Sequence, residues 1–270
     1  MSEYAGKWAL VTGASAGIGA EFARQLAAKG ANLILVARRG ERLEQLAREL
    51  EGEYGTTSLV RVADLSVRDA PAGVVDSLAA EGAAPDILVN NAGFGLPGHF
   101  NDVSWVEQRD FIELMMTSYA HFCHLALPHM QKKGWGRIVN IASLAGLIPG
   151  SAGHTLYGPS KTFLVSMSQA LAAENHGTGV KVSALCPGFT YSEFHDVNGT
   201  RGLVSQMPKS MFQEACEVVA EGLDGLERGR IVVVPGGNNK RIAWFVRHLP
   251  RQMAANIARK QSERFRKRAE

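Results

Sequence analysis

The chain has only three cysteines, Cys123, Cys186 and Cys216, too few and too scattered for a disulfide framework or a CxxC metal pair. They read as reduced packing residues. Eight histidines form no HExxH, and His121 and His124, three apart, complete no metal-binding motif, so no metal is expected. No uninterrupted apolar run reaches the ~20 residues of a membrane-spanning helix. The N-terminal residues pass straight into an apolar strand, without the basic region and longer apolar core of a secretory leader. A cytoplasmic protein is the expectation. Internal repeats, low-complexity linkers and a second apolar core are also absent, which favours one domain over the two that 270 residues could accommodate.

Hydrophobic residues make up 46% and charged residues 20%, the balance of an ordinary globule. The formal net charge of +3 conceals an asymmetry. Residues 240–270 hold ten Lys/Arg against two Asp/Glu, a formal +8, whereas the first 239 hold 19 against 24, a formal −5. The chain therefore divides into a domain over 1–239 and a basic extension over 240–270. In that extension Ile242, Phe245, Leu249, Met253 and Ile257 interleave with Arg241, Arg247, Arg251, Arg259 and Arg264, the pattern of a basic amphipathic helix interrupted at Pro250. Two readings stand: a helix packed on its own domain with a solvated basic face, or one held peripherally at an anionic membrane surface or an acidic carrier protein. Nucleic acid is not expected, because no aromatic platform or recognition motif accompanies the charge.

Apolar runs at Trp8–Val11, Leu33–Val36, Ser58–Val62, Asp86–Asn90, Arg137–Ala142, Val180–Leu185 and Ile231–Val234 alternate with helical patterns. The helices are expected after Gly19 through Phe22 and Leu26, across Leu43 to Leu50, and from about Arg68 to Ala80, Ser104 to Gln131, Thr155 to Glu174 and Met211 to Leu226. Strand alternating with helix predicts an α/β fold, a single doubly wound parallel sheet of about seven strands, Rossmann-like, with helices on both faces. Residues from Pro187 to about Pro208 have no regular period, as in lids or disordered segments.

Three local patterns carry chemistry. The first strand runs into Thr12-Gly13-Ala14-Ser15-Ala16-Gly17-Ile18-Gly19, where Gly13, Gly17 and Gly19 would let the backbone turn tightly against a pyrophosphate met by the amides that open the next helix. At the end of the second strand stands Ala37-Arg38-Arg39, in place of the acid that would hold a ribose 2′-hydroxyl. Arg38 suits a 2′-phosphate, hence NADP(H); the alternative is a solvated pair of arginines. Tyr157 and Lys161, four apart on a helix, lie on one face, so the ammonium would favour the phenolate and lower the tyrosine pKa.

Taken with Asn90-Asn91-Ala92-Gly93 after the fourth strand, Ser143 after the fifth and Pro187-Gly188 after the sixth, these motifs resemble the short-chain dehydrogenase/reductase family in order and spacing, over roughly residues 5 to 240. Within it, Ala-Arg-Arg, Pro-Gly-Phe-Thr and the closing Val-Pro-Gly-Gly resemble a bacterial, NADP-dependent branch. The resemblance implies an oxidoreductase that moves hydride between NADP(H) and a carbonyl or secondary alcohol. Tyr157 would be the general acid/base, Lys161 would hold the nicotinamide ribose, and Ser143 would hydrogen-bond the reacting oxygen. It also implies cofactor contacts from Gly13, Ser15, Gly17, Ile18, Gly19, Asn91, Tyr157, Pro187, Gly188 and Thr190, support of the sheet and the cofactor's ribose from Asn90, and Ser192 in place of the usual threonine. Asp64 would accept the adenine amino group, or else cap the helix that follows. A homo-oligomer is implied too, through the helix of Phe111 to Met130, which makes His121, His124 and His129 interface or surface residues. His154 lines the substrate mouth or is merely solvated.

One position departs from the family. The helix asparagine that holds a water leading from the lysine to solvent falls at Met115, and a thioether cannot donate a hydrogen bond. Thr117 or Ser118 could supply the polar group instead, or the proton takes another route with slower turnover. Met115 also leaves open a nucleotide-binding protein of this fold with little or no turnover, and the basic tail a membrane-associated acyl or lipid reductase. An apolar wall from Tyr191, Phe194, Val197, Leu203 and Met207 is compatible with steroids, acyl chains or aromatic ketones alike.

Overall fold

The computed structural model describes residues 2–150, 152–191 and 211–266, the side chains of Arg251 and 261–266 excepted. A seven-stranded parallel sheet organises it: β1 (Trp8–Thr12), β2 (Asn32–Ala37), β3 (Ser58–Val62), β4 (Ile87–Asn90), β5 (Gly136–Ile141), β6 (Val180–Leu185) and β9 (Val232–Val233), in the spatial order β3-β2-β1-β4-β5-β6-β9. A separate parallel pair joins β7 (Phe189–Thr190) to β8 (Phe212–Gln213). The helices are α1 (Gly17–Ala28), α2 (Gly40–Tyr54), α3 (Ala70–Asp76), α4 (Trp105–Ile112), α5 (Ser118–Lys133), α6 (Tyr157–Glu174), α7 (Ala215–Glu227), α8 (Gly237–His248) and α9 (Arg251–Arg266).

Why the strands read as unbroken apolar runs is visible in where their side chains go. Successive residues point to opposite faces, and here both faces are covered. Ala9, Val11, Leu33, Leu35, Ile87 and Val89 pack on one side with Phe22 and Leu26 of α1, Leu43, Leu46 and Leu50 of α2, and Val218 and Leu223 of α7. Leu10, Ile34, Val36, Leu88 and Ile138 pack on the other with Val74 of α3 and Phe122, Ala126 and Met130 of α5.

Several boundaries differ from those expected, each for a local reason. The helix foreseen from Arg68 to Ala80 is α3 followed by a separate 3₁₀ turn at Ala79–Glu81, ended by Gly82 in the left-handed region. Residues 212–213 form β8, so α7 starts later than foreseen, at Ala215. The long helix after β4 is capped by Ser104, whose hydroxyl accepts from Glu107 N while Glu107 reaches back to Ser104 N, and a π turn at Glu113–Thr117 divides it. The tail forms two helices, parted at Leu249 and Pro250.

At the edge opposite the carboxyl ends of the strands, charge rather than apolar packing ties the termini together. The Arg137 side chain is only 3% exposed and donates to both carboxylate oxygens of Glu227, from Nε at 2.7 Å and from Nη2 at 3.1 Å. Lys181 Nζ reaches the same carboxylate at 2.8 Å, and the Tyr4 hydroxyl also donates to it. These donors outweigh burial and hold Glu227 down to about 2. Its folded pKa lies below its ordinary value, so its contribution is complete above pH 4.5 and is lost as pH falls toward 2. Glu227→Gln leaves Arg137 buried and under-compensated, and we expect a loss of about 3 kcal/mol at neutral pH and a shallower acid-unfolding profile between pH 4.5 and 2, measured by urea titration across pH.

Candidate active site

Where the strand order reverses, between β1 and β4, the carboxyl ends of the strands open a crevice, the usual ligand position in such sheets. Two loops meet there. Thr12 Oγ1 accepts from Asn91 N at 2.8 Å and from Ala92 N at 3.0 Å, and Asn91 Nδ2 donates to Thr12 O at 3.0 Å and to Gly13 O at 3.3 Å. A Cβ on Gly13 would lie 2.7 Å from Asn91 Nδ2, and one on Gly19 would lie 2.3 Å from Gly13 O. Gly13 and Gly17 also have φ of +65° and +56°. The glycines thus serve a turn closed against the next loop.

This turn fits a dinucleotide. The N-cap of α1 is Ala16, which offers no side-chain acceptor to the helix's first amides, so they remain available to an anion. Arg39 donates to Ser15 Oγ from Nε at 3.2 Å and from Nη2 at 3.0 Å, laying a guanidinium against the loop. Arg38 Nη1 lies 3.9 Å from Asp64 Oδ2, both largely exposed. Asp64 does not cap α3, whose N-cap is Asp69; its Oδ1 instead accepts from Ser66 N at 3.0 Å and Ser66 Oγ at 2.7 Å, which with Arg38 holds its pKa low against the opposing effect of burial. Ile18 is partly buried and packs on the core.

A second group gathers at the ends of β5 and β6. Tyr157 is the first residue of α6, its N–H bonded to His154 O at 3.1 Å. Its side chain hydrogen-bonds Ser143. Ser143 Oγ accepts from Ala145 N at 3.1 Å and lies 3.5 Å from Pro187 O. One turn further along α6, Lys161 is 4% exposed and donates from Nζ to Ile141 O at 2.8 Å. That Nζ stands 5.7 Å from the ring centres of both Tyr157 and Tyr119. Close packing enforces this placement, since a Cβ on Gly146 would lie 2.7 Å from the Lys161 backbone carbon.

The electrostatics correct one expectation. Burial is the largest influence on Tyr157 and raises its pKa, with the Ser143 hydrogen bond acting against it. The foreseen lowering by Lys161 does not dominate. The lysine is itself desolvated, and burial brings it down to about 7, with the neighbouring Cys186 opposing.

Around these groups the remaining expectations resolve individually. Asn90 supports the sheet: its Nδ2 donates to Asn140 Oδ1 at 2.9 Å, and Asn140 in turn donates to Ser168 Oγ at 2.9 Å. The Asn91 amide is engaged by the glycine turn, so it can act on a cofactor through the turn's shape. Thr190 is buried and donates to Gly188 O at 3.3 Å. Gly188 is pressed by Asn239 of α8: a Cβ there would lie 2.4 Å from Asn239 Oδ1. Met115 is fully buried with Sδ against Gly93, Ser118 Oγ donates to Leu114 O at 2.7 Å, and Thr117 is exposed. Neither hydroxyl is bonded to the lysine. His129 pairs with Asp86 at 3.0 Å, far from this group in the fold, while His124 is exposed and His121 partly so. His154 is half-buried, and burial lowers its pKa. Ser192, Phe194, Val197, Leu203 and Met207 lie outside the described residues. Among the described residues no three His, Cys, Asp or Glu side chains converge as a metal site.

Thr12, Arg39, Tyr119 and Asn239 escaped sequence reasoning as site residues. The threonine heading the glycine turn and the second arginine were signalled by position, whereas nothing in the local pattern marks Asn239.

A doubly wound sheet with a glycine turn at its switch point and a Ser, Tyr, Lys group beside it defines a nicotinamide-nucleotide oxidoreductase. Residues 7–202 match the family model described as short chain dehydrogenase, and the chain belongs to the short-chain dehydrogenase/reductase family. It is 40% identical to oxidoreductase UcpA of Salmonella typhimurium over 190 residues, 70% of this chain and 71% of that one. It is similar to a short-chain dehydrogenase from Sphingobium yanoikuyae in complex with NADPH, with a TM-score of 0.78 and 33% identity over 84% of this chain and 87% of that one. A family member from Burkholderia phymatum in complex with NAD gives a TM-score of 0.81 and 25% identity over 96% and 97%.

Lys161 has a folded pKa below its unfolded one, so the unfolded chain binds the extra proton between pH 7 and 10.5, and stability rises with pH across that window. Lys161→Met should flatten the rise, measured as chemical-denaturation midpoints from pH 7 to pH 10; an unchanged slope would show the buried ammonium to be no burden.

Proposed function

We propose that the protein is an NADP(H)-dependent oxidoreductase acting on the carbonyl or secondary alcohol of an apolar small molecule, with Tyr157 as its general acid/base. The observation that carries this is the convergence of Ser143, Tyr157 and Lys161 beside the glycine turn. A bound nicotinamide supplies or takes up hydride at the substrate carbon. In reduction, Tyr157 gives its proton to the oxygen on which charge develops, and Ser143 holds that oxygen by a hydrogen bond that strengthens as the charge grows. A phenol whose pKa is raised by burial stays protonated between turnovers, as a donor must. Lys161, near neutrality in its proton affinity, can pass a proton toward the phenolate afterwards.

Gly13, Ser15, Gly17, Ile18 and Gly19 would hold the pyrophosphate, Asp64 the adenine, Lys161 the ribose on the nicotinamide side, and Pro187, Gly188 and Thr190 the carboxamide. Arg38 and Arg39, flanking the adenosine end, support NADP(H) over NAD(H). The catalytic unit is residues 1–239, to which the extension 240–270 is attached through Asn239, and the exposed parts of α4 and α5 suit a homo-oligomer.

Consumption of NADPH against steroid, acyl and aromatic ketones should exceed that of NADH, and Tyr157→Phe should lower kcat by about 10²–10⁴-fold while leaving NADPH affinity unchanged. Cofactor binding with no turnover on any of the three classes, unaffected by Tyr157→Phe, would instead favour a nucleotide-binding protein without chemistry, the reading that Met115 supports. The two meet at that residue. Restoring an amide with Met115→Asn is expected to raise kcat several-fold if proton supply to Lys161 limits the rate. A kcat unchanged or lowered at every pH would remove proton supply as the limiting step.

A further inference from the structure

Two consecutive helices, α8 and α9, expose large apolar side chains among cations. α8 turns Asn239, Ala243 and Val246 toward the domain and carries Trp244 and Phe245 outward, 64% and 54% exposed, with Arg241 exposed between them on the helix circumference. α9 rests on the domain through Ala254 and exposes Met253 and Ile257 at 53% and 43%, with Arg259 and Lys260 alongside. From Gly229 to Ser262 the sequence contains no Asp or Glu, though it contains Arg230, Lys240, Arg241, Arg247, Arg251, Arg259 and Lys260. Lys240 is bound to Glu221 at 2.7 Å, and across α8 and α9 Glu263 is the one acid against eight Lys and Arg.

We propose that α8 and α9 form a docking surface for an anionic lipid bilayer, lying along its headgroups with Trp244, Phe245, Met253 and Ile257 inserted. Large aromatic and aliphatic side chains set among arginines and lysines, on helices too short and too polar to cross, describe an interfacial helix. A bilayer of anionic headgroups complements both parts at once. A second copy does not, because an isologous contact would set this strongly basic patch against itself. An acidic protein would answer the charge, but it would have to bury several apolar side chains that a bilayer interface accepts without shape-matching. The surface also adjoins the site. Leu147 and Pro149, in the loop that follows Ser143, line a cleft of about 370 Å³ with Val246, Leu249 and Ala254, so docking would bring a bilayer beside the loop that carries Ser143.

The docking does not depend on the catalytic reading. Flotation of the full-length protein with vesicles of phosphatidylcholine mixed with phosphatidylglycerol should recover it with the lipid, Tyr157→Phe included, and pure phosphatidylcholine should not. Raising the salt should release it. The double variant Trp244→Ser, Phe245→Ser should bind about tenfold or more weakly at an unchanged melting temperature, and Arg241→Glu with Arg247→Glu should do the same. Absence from the floated fraction, or flotation of both variants like the parent chain, would overturn the proposal. So would a parent chain that ignores vesicles while its light-scattering mass falls on the Trp244→Ser, Phe245→Ser change, which would assign the patch to a second copy, or one that ignores vesicles and is captured by a polyglutamate matrix, which would assign it to an acidic protein.

Discussion

Everything at the carboxyl edge of the sheet depends on how closely two backbones approach between β1 and β4. Asn91 spans the gap, its amide on Thr12 O and Gly13 O while Thr12 accepts two amides in return. This lattice works only without side chains at Gly13 and Gly19, where a Cβ would fall well inside contact distance. The glycine turn and the Ser143, Tyr157 and Lys161 group are therefore coupled through the sheet: β4 ends in Asn90 and leads into Asn91, and Asn90 leads through Asn140 to Ser168 on the helix that bears Tyr157 and Lys161. A buried polar chain of this kind rigidifies a core more than its individual bonds would suggest.

Tyr157 and Lys161 show how burial can act against proximity. Tyr157 and Lys161 are close enough for the ammonium to favour a phenolate, yet each is deprived of water, which pushes the phenol up and the amine down. Both shifts favour the neutral forms. A cofactor's hydroxyls and phosphates would alter that balance, so the proton inventory of the site belongs to the assembled enzyme more than to the chain.

The sheet was legible because strands buried on both faces leave long apolar runs, and all seven were placed from them. Ser143, Tyr157 and Lys161 and the glycine turn were legible because their chemistry needs fixed residue types at fixed offsets. What escaped depends on contacts between distant segments. The packing of Asn239 on Gly188 has no local signature, and Asp64, one of whose readings was a helix cap, does not cap α3 but closes its own turn with Ser66. The division of the helix after β4 was hidden differently. Its buried positions Phe111, Met115, Tyr119 and Cys123 advance in steps of four, which drift by about 40° per step around a regular helix, a slow rotation easily taken for plain amphipathicity.

That π turn at Glu113–Thr117 is in effect a phase shift. A π turn holds one residue more than the α turn it replaces, so all that follows is rotated relative to α4. The rotation brings Tyr119 beneath the Lys161 ammonium and sets its hydroxyl on Ala92 O at 3.0 Å, while Phe122, Ala126 and Met130 still face the sheet. A shortened chain with a straight helix here could keep Phe111 on the core or Tyr119 under the lysine, but not both. The irregular turn is thus a gear between two surfaces of different pitch, and its residue count, more than the identity of any one side chain in it, sets the alignment of the sheet's packing with the floor of the site.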